Sequence, residues 1–160
     1  RVSRGLGDVY KRQYYKNPEA TAQIIDVNGW LHTGDLGVMD EEGYVTVRGR
    51  SKNMLLTSSG QNIYPEEIES KLNNMPYVAE SLIVLQHDKL VALIYPDFDD
   101  AFAHGLQQND IQKAMEVNRA ELNQQLPNYC QISKIKIHFE EFEKTAKKSI
   151  KRFMYQEAKG

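Results

Sequence analysis

Four short stretches of the chain hold the residues able to do chemistry. In LHTGD, Leu31 to Asp35, a Thr-Gly turn delivers the Asp35 carboxylate beside Gly34, whose missing Cβ lets a ligand or a second backbone come close. A carboxylate so placed can accept two hydrogen bonds from a diol such as ribose; equally, Thr-Gly-Asp is an ordinary turn. Arg50, in GRSK, offers a rigid five-donor fork suited to phosphate or ribose oxygens, or simply ends a hairpin with an exposed cation. Ser59 and Gly60 lie in a Ser-Ser-Gly turn where a thin substrate could pass against bare backbone. Near the C-terminus FEKTAKKSIKR, Phe142 to Arg152, carries six charged residues in eleven, five of them basic. That run is either a solvated tail or the seat of a reactive lysine.

Other candidates are poorer. His32, His87, His104 and His138 are scattered without metal-ligand spacing, which fits solvated or hydrogen-bonded imidazoles and implies no metal site. Cys130, in PNYCQI, reads as a small buried residue. As the sole cysteine it excludes an internal disulfide framework and a thiolate metal cluster, and it points to a reducing, cytoplasmic compartment. The formal charge of −2 argues against a dedicated nucleic-acid partner, and no run approaches the roughly 18 apolar residues of a transmembrane segment.

The elements that must position these residues follow from periodicity and punctuation. Residues 1–13, RVSRGLGDVYKRQ, have neither helical nor alternating pattern; they resemble translated adapter sequence and are expected to be a non-native leader. Asn17, Pro18 and Glu19 open a helix in NPEATAQII. Leu36 and Val38, then Val45 and Val47, alternate around a turn at 40–43 and predict a hairpin that cannot bury itself. From Ser51 onward the order is hairpin, helix, hairpin, helix, strand, a small α+β domain. Pro65 opens the first helix, with Ile68, Leu72 and Met75 on one face. The second hairpin spans VAESLIVLQHDKLVALIYP, and DFDD after it reads as a solvated loop. Asn109 is the expected cap of the longest helix, with Ile111, Met115, Leu122 and Leu126 as its buried stripe and Pro127 as its stop. Ile135, Ile137 and Phe139 share one face of a strand, and Ile150, Phe153 and Met154 predict a short terminal helix.

Three motifs in fixed order, GWLHTGD, DEEGYVTVRGRSK and SSGQNIYPEEIE, give the chain from about Tyr14 onward a resemblance to the end of AMP-forming acyl-CoA synthetases, members of the adenylate-forming superfamily, with the flavour of long-chain fatty acyl-CoA ligases. The resemblance implies that residues 14–50 are the last part of a large AMP-binding domain and 51–160 a mobile C-terminal domain. It implies two steps: a carboxylate and ATP give acyl-AMP, then coenzyme A takes the acyl group. Asp35 would hold the ribose hydroxyls and Arg50 the nucleotide, Lys52 would be the hinge, and Ser59 and Gly60 would line the pantetheine tunnel. ATP, coenzyme A and a fatty acid are the implied substrates, with Mg2+ accompanying ATP and no ligands for it in this stretch. The remainder of the AMP-binding domain is the implied partner, and without it the chain is expected to be inactive.

One departure stands out. The family ends in a pattern like Lys-Thr-Pro-x-Gly-Lys-Ile, whose last lysine stabilises charge during adenylation. On that frame Lys144, Thr145, Ile150 and Arg152 match, Ala146 replaces proline, Lys148 replaces glycine and Ser149 takes the place of the lysine. A hydroxyl brings no charge, and losing one preorganised donor costs about 2.7–4 kcal/mol of transition-state stabilisation. Lys148 or Lys151 could supply the missing ammonium, the domain could be specialised for the thioester step, or the sequence could carry a local error. The rival to the enzyme reading is a stand-alone, non-catalytic α+β module that binds a nucleotide, coenzyme A or a protein through the same surfaces.

Overall fold

The computed structural model describes residues 14–156, so the expectation of a non-native leader over 1–13 lies outside the described residues. The chain divides into two compact units between Asn53 and Met54.

In the first unit, helix α1 (Pro18–Ile24) starts as its punctuation predicts: the Asn17 side chain accepts from the Ala20 N–H at 3.0 Å and Pro18 takes the first helical position. Asp26 then folds the next loop around its carboxylate, accepting from the N–H groups of Asn28 and Trp30 and pairing with His32 Nε2. Strands β1 (Asp35–Met39) and β2 (Val45–Arg50) form the predicted antiparallel hairpin, with Asp40 accepting from Tyr44 N–H across the turn. Its register slips at Leu36 and Gly37; a Cβ at Gly37 would fall 2.9 Å from the Thr46 carbonyl oxygen, so the close backbone approach requires glycine there. No described residue of this unit is fully buried, and Val38, Tyr44 and Val47 are mostly exposed.

The second unit is built on a three-stranded sheet of order β5-β6-β7 (Val78–Gln86, Lys89–Pro96, Ile132–Ile137). β5 and β6 are antiparallel through a two-residue turn, His87 and Asp88, both left-handed. β7 runs parallel to β6 after a crossover through α3 (Phe98–Ala103) and α4 (Gln108–Gln125). One sheet face packs on α2 (Pro65–Leu72) and α4 through Ile68, Leu72, Ile83, Ala92, Ile94, Met115 and Leu122. On the other, Leu82, Val84, Val91 and Leu93 are covered by Phe142, with Ile150 and Tyr155 beside it. Burial on both faces explains why β5 and β6 read as nearly continuous apolar runs. A small hairpin, β3 (Leu55–Leu56) with β4 (Asn62–Ile63), precedes α2.

Four local expectations change. DFDD is not a loop: Asp97 caps α3 by accepting from Asp100 N–H, and Asp99 and Asp100 occupy the first turn, where carboxylates meet the positive helix end. α4 begins before Asn109, and the Gln107 N–H at its start donates to the Asp110 carboxylate at 3.2 Å. In β7 Ile135 and Ile137 face the core as expected, and Ile132 joins them from three positions before Ile135 because the register slips between Leu90 and Val91; Phe139 lies past the strand end, exposed. The terminal segment makes a single 3-10 turn, Arg152–Met154, and Phe153 is 74% exposed rather than packed. No helix among the described residues is long and apolar enough to cross a membrane.

Candidate functional site

The first unit brings two of the sequence-predicted residues together. Asp35 opens β1 and Arg50 closes β2 directly opposite, and Arg50 Nε lies 2.8 Å from Asp35 Oδ1. Arg50 also donates to the Thr33 carbonyl at 3.3 Å, while Thr33 Oγ1 accepts from Asp35 N–H. Gly34 reaches this corner with φ +74° and its carbonyl accepts from Ser51 N–H, which fixes the strand ends. Asp35 also helps line a mostly apolar pocket of about 220 Å3, with Thr33, Leu36, Gly37, Met39, Val45 and Val47 as its other walls. Lys52 follows in the 3-10 turn Ser51–Asn53, exposed and next to the division between units.

In the second unit, Ser59 and Gly60 sit at the tip of the β3–β4 hairpin. The turn is closed by Thr57 N–H to Gln61 carbonyl at 3.1 Å and Gly60 N–H to Thr57 carbonyl at 2.9 Å. Gly60 has φ +77° with no atom within 4 Å of where a Cβ would point, so bare backbone faces open space. Sequence reasoning missed the residue holding this tip. Asp88 of the β5–β6 turn accepts from Ser58 N–H at 2.8 Å and from Ser58 Oγ, contacts that keep its carboxyl below the ordinary aspartate range. Thirty positions separate the two residues, and nothing local in either turn signals the pairing.

The basic run folds into a further small hairpin. Lys144 and Ile150 pair across it, Thr145 N–H donates to the Ser149 carbonyl at 2.8 Å, and Lys148 N–H donates to the Thr145 carbonyl at 2.9 Å. The loop is thus three residues, Ala146 to Lys148, and Lys148 takes the left-handed slot that such loops usually give to glycine, with φ +59°. Its side chain makes no hydrogen bond or ion pair with another described residue and is exposed. Lys151, by contrast, lies 3.2 Å from Glu143 Oε2, and its N–H donates to the Glu143 carbonyl. Ser149 follows Lys148 with its N–H turned to Thr145 Oγ1.

Arg152 and Lys144 tie this hairpin to the rest of the unit. Arg152 makes a bidentate bridge to Glu69 of α2 at 2.7 and 2.8 Å and donates to the Ile83 carbonyl at 3.1 Å, while Glu69 Oε1 accepts from Ile83 N–H. Both side chains are almost buried. Lys144 lies 2.8 Å from Glu80 and 3.0 Å from Glu141. The hydrogen bond to Glu80 above all, then that to Glu141, raises the Lys144 pKa above the ordinary lysine value of about 10.4. The folded chain therefore holds this proton more tightly than the unfolded one. The pairing contributes fully below the ordinary lysine pKa and is lost as pH rises through the higher folded value. Urea titrations from pH 8 to 11.5 should show wild type losing more stability at the alkaline end than Lys144→Met.

Cys130 is half-buried and free, and burial pushes its thiol pKa up, away from a reactive thiolate. His32, His104 and His138 each hold a hydrogen bond within the fold. No group of three or more His, Cys, Asp or Glu side chains among the described residues could hold a metal ion.

This architecture is the fold of the C-terminal region of adenylate-forming enzymes. It superposes with a TM-score of 0.68 on the o-succinylbenzoate CoA synthetase of Bacillus subtilis, 24% identical, covering 92% of this chain and 28% of that one. Residues 52–158 match the family model of the AMP-binding enzyme C-terminal domain, and the chain belongs to that family. Acyl-CoA ligases are among its relatives. A long-chain-fatty-acid–CoA ligase of Mycobacterium tuberculosis is 43% identical over 77 residues, 48% of this chain and 15% of that protein. A probable acyl-activating enzyme of Arabidopsis thaliana is 31% identical over 148 residues, 90% of this chain. The chain spans 26% of the length of the Arabidopsis protein.

Proposed function

We propose that the chain is the C-terminal part of an ATP-dependent acyl-CoA synthetase acting on a fatty acid, long-chain by preference, in the cytoplasm. A carboxylate oxygen attacks the α-phosphorus of ATP and the bond to pyrophosphate breaks. The thiol of coenzyme A then attacks the acyl carbon, its proton leaves, and AMP departs with the electrons of the broken carbon–oxygen bond. The observation that carries this reading is the pairing of Asp35 with Arg50 at the end of a coreless hairpin, in a chain whose remainder belongs to the family of AMP-binding C-terminal domains.

Asp35 accepts the ribose hydroxyls and Arg50 donates to nucleotide oxygens. Their mutual ion pair is half-exposed, worth about 0–1 kcal/mol, so a ligand can take over either partner at little cost. Lys52 serves as the hinge, and Ser59 with Gly60 lines the path of the pantetheine arm. Lys148 supplies the ammonium for adenylation in place of Ser149; in support, Lys151 is already tied to Glu143 whereas Lys148 stands at a loop tip. Mg2+ enters with ATP and draws on no ligand cluster among the described residues.

The apolar side chains exposed on the β1–β2 hairpin, Val38, Val45 and Val47 among them, call for a further domain to cover them. Alone, the chain is expected to form no acyl-CoA. Mixed with the AMP-binding domain of a homologous ligase, it should make acyl-CoA from fatty acid, ATP and coenzyme A. No product from an assembly whose partner domain binds ATP would overturn the proposal.

A further inference from the structure

We propose that Asp88, at the tip of the β5–β6 hairpin, is a positioning residue for the thioester step: it holds the Ser58–Gly60 turn in the geometry that receives coenzyme A. This rests on the reading of the chain as part of an acyl-CoA synthetase.

The argument starts from an inequality between two hairpins. β3 and β4 contribute two residues each, pairing Leu55 with Ile63 and Leu56 with Asn62, and a two-stranded ribbon that short is marginal by itself. Its turn is closed largely from within, by Thr57 N–H to the Gln61 carbonyl, Gly60 N–H to the Thr57 carbonyl, and the contact of Thr57 Oγ1 with Ser59 Oγ at 2.9 Å. β5 and β6 instead pair along their whole length, and Ile83, Val84, Ala92 and Ile94 in them are buried. The two-residue turn between these strands, with His87 at φ +49° and Asp88 at +60°, is therefore a rigid peg.

From that peg the Asp88 carboxylate accepts two hydrogen bonds from one residue, Ser58, through its N–H and its hydroxyl. Ser58 adjoins Ser59 and Gly60, so the peg sets where the bare backbone of Gly60 faces open space. A misplacement of about 1 Å in a group that orients substrate can cost about 10²-fold in rate. Asp88 itself is exposed, and glycine suits its left-handed φ, so Asp88→Gly leaves the turn and the core of the unit intact.

Two measurements test the inference. In the chain as it stands, Asp88→Gly should raise amide hydrogen exchange at Ser58 about tenfold or more while β5 and β6 amides stay protected. In the assembly with an AMP-binding domain, thioester formation from preformed acyl-AMP should fall about tenfold or more, with ATP–pyrophosphate exchange within about twofold of wild type. Asp88→Asn keeps an acceptor for Ser58 N–H and should retain most of the rate; Ser58→Ala, which loses only the hydroxyl, should fall between. Unchanged Ser58 exchange, an unchanged thioester step, or equal losses in both half-reactions would overturn the role. A wild-type assembly that fails in both half-reactions would count against the functional reading itself, and the inference would fall with it.

Discussion

Arg152→Ala is expected to lower the stability of the second unit by about 3–5 kcal/mol, the usual cost of removing one partner from a buried ion pair. The magnitude follows from what would be left behind. Glu69 is almost buried, and without the guanidinium it loses both bidentate contacts and keeps only the Ile83 N–H. The Ile83 carbonyl also loses a donor. For a domain of about this size the loss corresponds to a fall in melting temperature of at least about 10 °C. Glu69→Gln removes the charge from the other side and should cost comparably. The paired replacement Glu69→Leu with Arg152→Met leaves no orphaned charge, so it should be markedly milder than either single change. Calorimetry of the four chains checks this; single variants melting within about 2 °C of wild type would show the bridge to be unimportant.

The second large effect concerns the loop tip. Lys148→Gly relieves a left-handed lysine, a conformation that costs an L-residue about 1–2 kcal/mol, so the hairpin itself should become no less stable. If Lys148 supplies the adenylation charge, the same change lowers ATP–pyrophosphate exchange in the assembled ligase by about 10²–10³-fold. Stability and rate then move in opposite directions, which separates a chemical role from a structural one. The double variant Lys148→Gly with Ser149→Lys restores the glycine-lysine order of the family and should recover the exchange. Lys151→Ala should cost far less, because that ammonium is already committed to Glu143. Normal exchange in Lys148→Gly would eliminate Lys148.

How much of this was legible beforehand differs by element. The N-terminal cap of α1, the β1–β2 hairpin and the opening of α2 at Pro65 were readable because each depends on residues within one or two turns. DFDD was misread because the same acidic residues suit a solvated loop and a helix N-terminus, and the apolar contacts of Phe98 and Ala101 decide between them. The terminal 3-10 turn was misread because its apparent helical spacing is coincidental. What anchors the segment is the charge on Arg152, not the apolar faces of Phe153 and Met154.

By itself, then, the sequence determined the α+β class, the family, the residues Asp35, Arg50, Lys52, Ser59 and Gly60 as site candidates, and Ser149, standing where the family pattern has a lysine, as the question to ask. These are matters of residue type at short spacing. Only the tertiary structure decided that β7 joins β6 in parallel, that Glu69 receives Arg152 from 83 positions away, and that Asp88 holds Ser58. It also showed that Lys148 occupies a left-handed slot while Lys151 is already paired. The physical reason is that a charge or a turn can be recognised locally. Its partner is chosen by the packing of a sheet whose two faces draw on residues from opposite ends of the unit.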